Sequence, residues 1–155
     1  MHISWDEYFM GVALLSAKRS KDPSTQVGAC VVNEDKRIIG IGYNGFPRGC
    51  SDDIFPWGKE SNNVLETKYP YVVHAEANAI LNSSSSLKNS TVYVTLFPCN
   101  ECAKLLIQSG VKHIKYMSDK HKNQDSTKAS KRMLEAAGVT YEQMPELNLM
   151  INLKW

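Results

Sequence analysis

Two short segments constrain this chain more than anything else in it: His74-Ala75-Glu76 and Pro98-Cys99-Asn100-Glu101-Cys102. Thiolate sulfur and imidazole nitrogen are the ligands zinc prefers, in tetrahedral geometry. A fold that serves these residues must therefore bring two separated segments to one point. Each segment stands where a helix opens. Cys99 and Cys102 are three apart, so in a first turn they share a face, and the free N–H groups and dipole there favour the thiolate a metal requires. Two thiolates and a neutral His74 give a site of formal charge near zero. Its fourth position is left for water, whose pKa the metal lowers towards neutrality. Glu76 lies close enough to take a proton from that water, and an i, i+2 pair on a helix diverges, so it does not ligate as well. With no nucleophilic side chain nearby, such a site suits hydrolysis at an amidine-like carbon. The alternative for the cysteines is a structural zinc corner or a redox pair; their coincidence with His74 and Glu76 favours catalysis.

The surrounding sequence predicts alternating elements. Ser4 and Glu7 form a capping box ahead of a helix whose apolar face carries Phe9, Val12 and Ala13. Val27–Val32 and Arg37–Tyr43 form a hairpin about Asn33–Lys36. From Asn44 to Tyr71 no period is sustained, and a loop of that length in a compact domain is usually functional. Helix over His74–Leu81, strand over Thr91–Leu96, helix over Pro98–Gln108 ending at Gly110, strand over Lys112–Met117, helix over Asp125–Ala137 closed by Gly138, and strand over Val139–Tyr141 complete the series. Strand–helix–strand connections are right-handed crossovers joining parallel strands. The expected architecture is α/β: a three-layer α/β/α fold on a five-stranded mixed sheet whose last two strands are parallel. The tail from Pro145 to Trp155 has no assignable element.

Composition narrows the partners. At 155 residues, a single domain over 1–155 is expected. Eighteen basic against 16 acidic side chains leave a net charge of +2, too little for a nucleic-acid-binding surface. No apolar stretch is long enough to span a bilayer, and the acidic start at Asp6-Glu7 lacks the basic region of a secretory leader. A cytoplasmic protein is expected. Cys30 reads as core, Cys50 as a free loop thiol, Tyr69-Pro70-Tyr71 as packing residues, and the lysines from Lys112 to Lys131 as a solvated face.

His74-x-Glu76 followed by Pro98-Cys99-x-x-Cys102 matches the established signature of zinc deaminases. The chain resembles the cytidine deaminase-like superfamily, and within it the deoxycytidylate deaminases. The likeness runs through Ser20–Pro23, Gln26–Cys30, Gly42–Asp53, Lys68–Tyr71, Phe97–Ala103 and Ser118–Lys120. The zinc motif alone suits deaminases of cytidine, of adenosine in tRNA or of guanine equally; the Gly42–Asp53 loop narrows the likeness to deoxycytidylate (dCMP).

The resemblance implies that a zinc-activated water attacks C4 of cytosine. Glu76 would move a proton to N3 and then to the leaving amine, giving dUMP, a precursor for thymidylate synthesis, and ammonia. It implies a homohexamer activated by dCTP and inhibited by dTTP, with Mg2+ on the effector phosphates. It gives Asn44 a bond to the substrate sugar and makes Gly45, Arg48 and Gly49 line the effector site. Lys21, Lys120 and His121 are the candidates for the 5′-phosphate. Two other readings stay open: a deaminase of free cytidine or of a base in RNA, and a non-catalytic module that keeps zinc for stability.

Overall fold

The computed structural model describes residues 1–154; Trp155, at the end of the unassigned tail, lies outside the described residues. Ser4 caps the first helix, α1 (Trp5–Ala17): its Oγ accepts from the Glu7 N–H, and Glu7 accepts in return from the Ser4 N–H. The strands β1 (Gly28–Val32) and β2 (Ile38–Tyr43) follow, then α2 (Ala75–Leu81), β3 (Thr91–Leu96), α3 (Asn100–Gln108), β4 (His113–Ser118), α4 (Asp125–Ala136) and β5 (Thr140–Gln143).

The sheet order is β2-β1-β3-β4-β5. β1 is antiparallel to both β2 and β3, while β3, β4 and β5 run parallel. The parallel half follows from the two crossovers through α3 and α4. Each of those helices stops at a glycine in the left-handed region, Gly110 (φ 87°) and Gly138 (φ 71°), where a side chain would be strained.

β1 is buried along its whole length, so its alternation shows which core lies on which face. Ala29 and Val31 join Val92, Val94, Ala75, Ala79, Leu106 and Leu134 beneath α2, α3 and α4. Cys30 and Val32 join Phe9, Met10, Ala13 and Tyr93 beneath α1. These are the three expected layers. Burial pushes the Cys30 thiol up to about 12, so it stays a neutral core side chain.

Some local details depart from the sequence reading. Pro98 and Cys99 precede α3, which begins at Asn100 with Cys99 extended; α2 begins at Ala75. The tail has no element, as expected, but its Leu147, with Met144 just before it, packs against the α1-side core. Two of the lysines expected in solvent are paired, Lys115 with Asp6 at 2.7 Å and Lys131 with Asp119 at 2.8 Å. Among the described residues no helix is long and apolar enough to cross a membrane.

Candidate active site

His74 and Cys99 are the residues just before α2 and α3. Both are extended, with ψ of 157° and 170°, and neither side chain caps its helix by a hydrogen bond. An N-cap side chain in this conformation projects over the first turn. The two helix starts therefore aim their side chains at a common point, and Cys102, three residues on, completes it. His74 Nδ1 lies 3.4 Å from Cys99 Sγ and 3.4 Å from Cys102 Sγ. Tetrahedral zinc, with Zn–N of about 2.0–2.1 Å and Zn–S of about 2.3 Å, sets nitrogen and sulfur about 3.5 Å apart. The donor set and its spacing both fit a zinc ion.

Among the described residues these three form the one group of His, Cys, Asp and Glu side chains close enough together to hold a metal; a zinc ion held by these three would have a fourth position open to a small molecule. The sulfurs are coupled. The bond from Cys102 lowers the Cys99 thiol to about 4, and the same contact, with burial, drives the Cys102 thiol up. Two sulfurs coupled in this way take a cation between them when both are thiolates. The contact with Cys99 raises the His74 imidazole.

Glu76, in the first turn of α2, is buried. Burial raises its carboxyl to about 7, against the lowering effect of His74. A carboxyl in that range gives up and takes back a proton near neutral pH. It borders a cavity of about 320 Å3, with Val27, Val72, Leu96 and Phe97 among the apolar walls and His74 and Cys99 at the same surface. That volume suits a small polar ligand held against a metal.

A family model for the cytidine and deoxycytidylate deaminase zinc-binding region matches residues 3–118. The deoxycytidylate deaminase of Mus musculus is 57% identical over 143 residues, which cover 92% of this chain and 80% of that protein. The chain belongs to the deoxycytidylate deaminase family. The probable deoxycytidylate deaminase of Drosophila melanogaster is 59% identical over 148 residues, covering 92% of this chain and 73% of that one. A solved dCMP deaminase from the cyanophage S-TIM5, in complex with dCMP and dUMP, superposes with a TM-score of 0.72 at 30% identity, over 93% of this chain and 99% of the other.

In this deaminase His121 and Asn44 border the cavity, whereas Lys21 and Lys120 do not. Lys21 is bonded to Asp52 at 2.8 Å, and Lys120 lines a separate, more open cleft with Met117, Asp119 and Glu146. Asn44 is buried and its amide is engaged within the protein. Gly45 exchanges two backbone bonds with Val73, at 3.0 and 2.7 Å, beside His74. Arg48 and Gly49 lie on an exposed stretch, Gly49 with φ of 84°. Cys50 is outside the metal group.

The sequence reading missed Asp22, Lys68, Tyr69 and Thr127 as cavity residues. Asp22 and Lys68 make a buried ion pair across 46 residues of sequence, which no local pattern announces. Tyr69 is exposed at the cavity, while its neighbour Tyr71 packs edge-on against Phe55 as expected.

Proposed function

We propose that this chain hydrolyses dCMP to dUMP and ammonia, with zinc held by His74, Cys99 and Cys102 and with Glu76 carrying the protons. The observation that carries the reading is a buried carboxyl, raised to about 7, beside a three-ligand metal group at the base of a cavity. The names of its relatives and the nucleotides bound to the cyanophage enzyme support the choice of substrate.

Zinc at this site supplies Lewis acidity, which makes a water acidic enough to react near neutral pH. Glu76 accepts the proton that water loses and passes it to N3 of the cytosine ring, which makes C4 electrophilic. As the C4–O bond forms, a second proton travels by the same carboxyl to the exocyclic nitrogen. The C4–N bond then breaks and ammonia leaves. Val27, Val72, Leu96 and Phe97 keep bulk water from the ring, which strengthens each electrostatic contact inside.

The phosphate lies at the mouth, where exposed His121 borders the cavity. Lys21 and Lys120 stand off it, and their part in phosphate binding requires the loops to move. The effector reading, dCTP as activator and dTTP as inhibitor with Mg2+ on their phosphates, rests on the loop of Gly45, Arg48 and Gly49. The bonds between Gly45 and Val73 join that loop to the segment that ends in His74. We propose in the same way one deaminase domain over residues 1–155, a homohexameric assembly and a cytoplasmic location.

The deciding experiment compares turnover of dCMP, deoxycytidine and a short RNA. The reading expects dCMP to be turned over far faster than the other two. Equal or faster turnover of the nucleoside would remove the nucleotide assignment, and editing of the RNA would replace it.

A further inference from the structure

α2 carries Glu76 and has His74 as its N-cap, yet little apolar surface holds it to the sheet. Of its seven residues only Ala75 and Ala79 are buried hydrophobics, and Leu81 is exposed. The two alanines lie over Gly40 and Gly42 of β2, where the backbones approach too closely for a β-carbon. An alanine–glycine seam has no ridges to lock into grooves, so packing alone leaves the helix free to slide along the strand.

Hydrogen bonds supply the missing register. The Asn78 side-chain amide donates to the Tyr43 carbonyl at 2.8 Å, and that of Asn82 to the Ile41 carbonyl at 3.2 Å. Just past the helix, the Ser84 N–H donates to the Ile39 carbonyl at 3.1 Å. Tyr43, Ile41 and Ile39 are alternate residues of β2, an edge strand, so their carbonyls face the same way. The spacings match: four residues of helix rise about 6.0 Å, and two residues of strand about 6.6 Å. A slip of one residue in either element would break both side-chain bonds at once.

Asn78 is the strap nearest the chemistry. Its backbone N–H bonds the His74 carbonyl at 3.0 Å while its side chain bonds β2, so one residue ties the strand to a metal ligand. Glu76 stands between the two in sequence. Cys99 and Cys102 are placed by the start of α3 instead, so their distance from His74 and Glu76 depends on where α2 rests along β2. Asn78 is half-buried and does not border the cavity, so it acts through its neighbours. We propose that Asn78 is a positioning residue for deamination: its bond to Tyr43 sets the register of α2, which aligns Glu76 and His74 with the two sulfurs. The inference deepens the dCMP reading and rests on it for the reaction it serves.

The test separates alignment from stability. Wild type, Asn78→Ala and Asp6→Asn are compared in zinc content, melting temperature, and kcat and KM on dCMP. The visible spectrum of each cobalt(II)-substituted protein reports the geometry of the ligands around the metal. Misplacing a reacting group by about 1 Å costs up to about a hundredfold, so Asn78→Ala is expected to lose about ten- to a hundredfold in kcat per bound zinc. Its KM should stay close to that of wild type, and its cobalt bands should shift. Asp6→Asn, which loosens α1 on the opposite face of the sheet, should melt earlier with kcat and cobalt bands unchanged. A merely structural Asn78 would give that same pattern in Asn78→Ala, which overturns the inference. An equal loss of kcat in Asp6→Asn overturns it too, since any loosening of the fold would then suffice. If Asn78→Ala does not fold, Asn78→Gln carries the comparison. Its amide is one methylene longer and meets the Tyr43 carbonyl only with α2 displaced, so reduced kcat and shifted bands are expected, and wild-type values refute the inference. A wild type inactive on dCMP refutes the function itself, and the cobalt spectra then decide the positioning role alone.

Discussion

Gly42 lies against Ala75 so closely that a β-carbon built on it would come within 2.3 Å of the Ala75 carbonyl oxygen. β2 therefore serves as the bed of α2, the helix whose first turn carries Glu76 and whose N-cap is His74. The same β-carbon would meet the Ala79 nitrogen at 2.3 Å, so backbone, rather than a flexible side chain, would have to yield.

Gly42→Ala is accordingly expected to lift α2 from the sheet. Overpacking of this kind costs about 1–3 kcal/mol, and the displaced His74 weakens metal retention. Chemical denaturation together with zinc stoichiometry checks both effects. A variant with unchanged midpoint and full zinc would mean that α2 is not seated as described.

Glu76→Ala should keep fold and zinc yet lose about 10²–10⁴-fold in kcat, since it removes both proton transfers. The carboxyl is buried and raised to about 7, so its removal relieves a desolvation cost and stability should not fall. Near-normal turnover in the zinc-loaded variant would refute the role given to this residue, and a catalytically silent zinc module would then be the better account.

Removing a sulfur acts differently. Cys99→Ala leaves His74 and Cys102 as two ligands, too few to hold zinc firmly, so elemental analysis after dialysis should find well under one zinc per chain. Chelator treatment of the wild type should reproduce the loss of activity, and added zinc should restore it only in the wild type.

Away from the site, Asp6 supplies a pH test of the fold. Burial pulls its carboxyl upward, but bonds from Lys115 and Tyr93 outweigh that and hold it below its usual 3.8. A lowered folded value means stability that is present above 3.8 and is lost as pH falls through the folded value. Asp6 is 39% exposed, so solvent screening keeps the contribution under about 1 kcal/mol. The melting-temperature gap between wild type and Asp6→Asn should be flat from neutral pH to about pH 5 and narrow below about pH 4. A gap that widens in acid would contradict the assigned pairing.

Features governed by neighbours in sequence were legible from the chain alone. The Ser4–Glu7 capping box, the helix stops at Gly110 and Gly138, the Cys99–Cys102 spacing and the parallel crossovers all depend on interactions spanning a few residues or on chain handedness. They determined the element order and singled out His74, Cys99, Cys102 and Glu76, which the fold brings to one cavity wall and metal group.

What lay beyond reach depends on contacts between distant segments. β1 enters the sheet between β2 and β3 because all five of its residues need cover on both faces. Asn44 borders the cavity, yet its amide is also held by Asp22, Thr25 and Val27, which the fold brings against it. The pairing of Asp22 with Lys68 appears only when the long loop closes over the cavity. Local propensity sets which elements form; burial and hydrogen-bond satisfaction, which require the whole fold, decide which side chains remain free to meet a substrate.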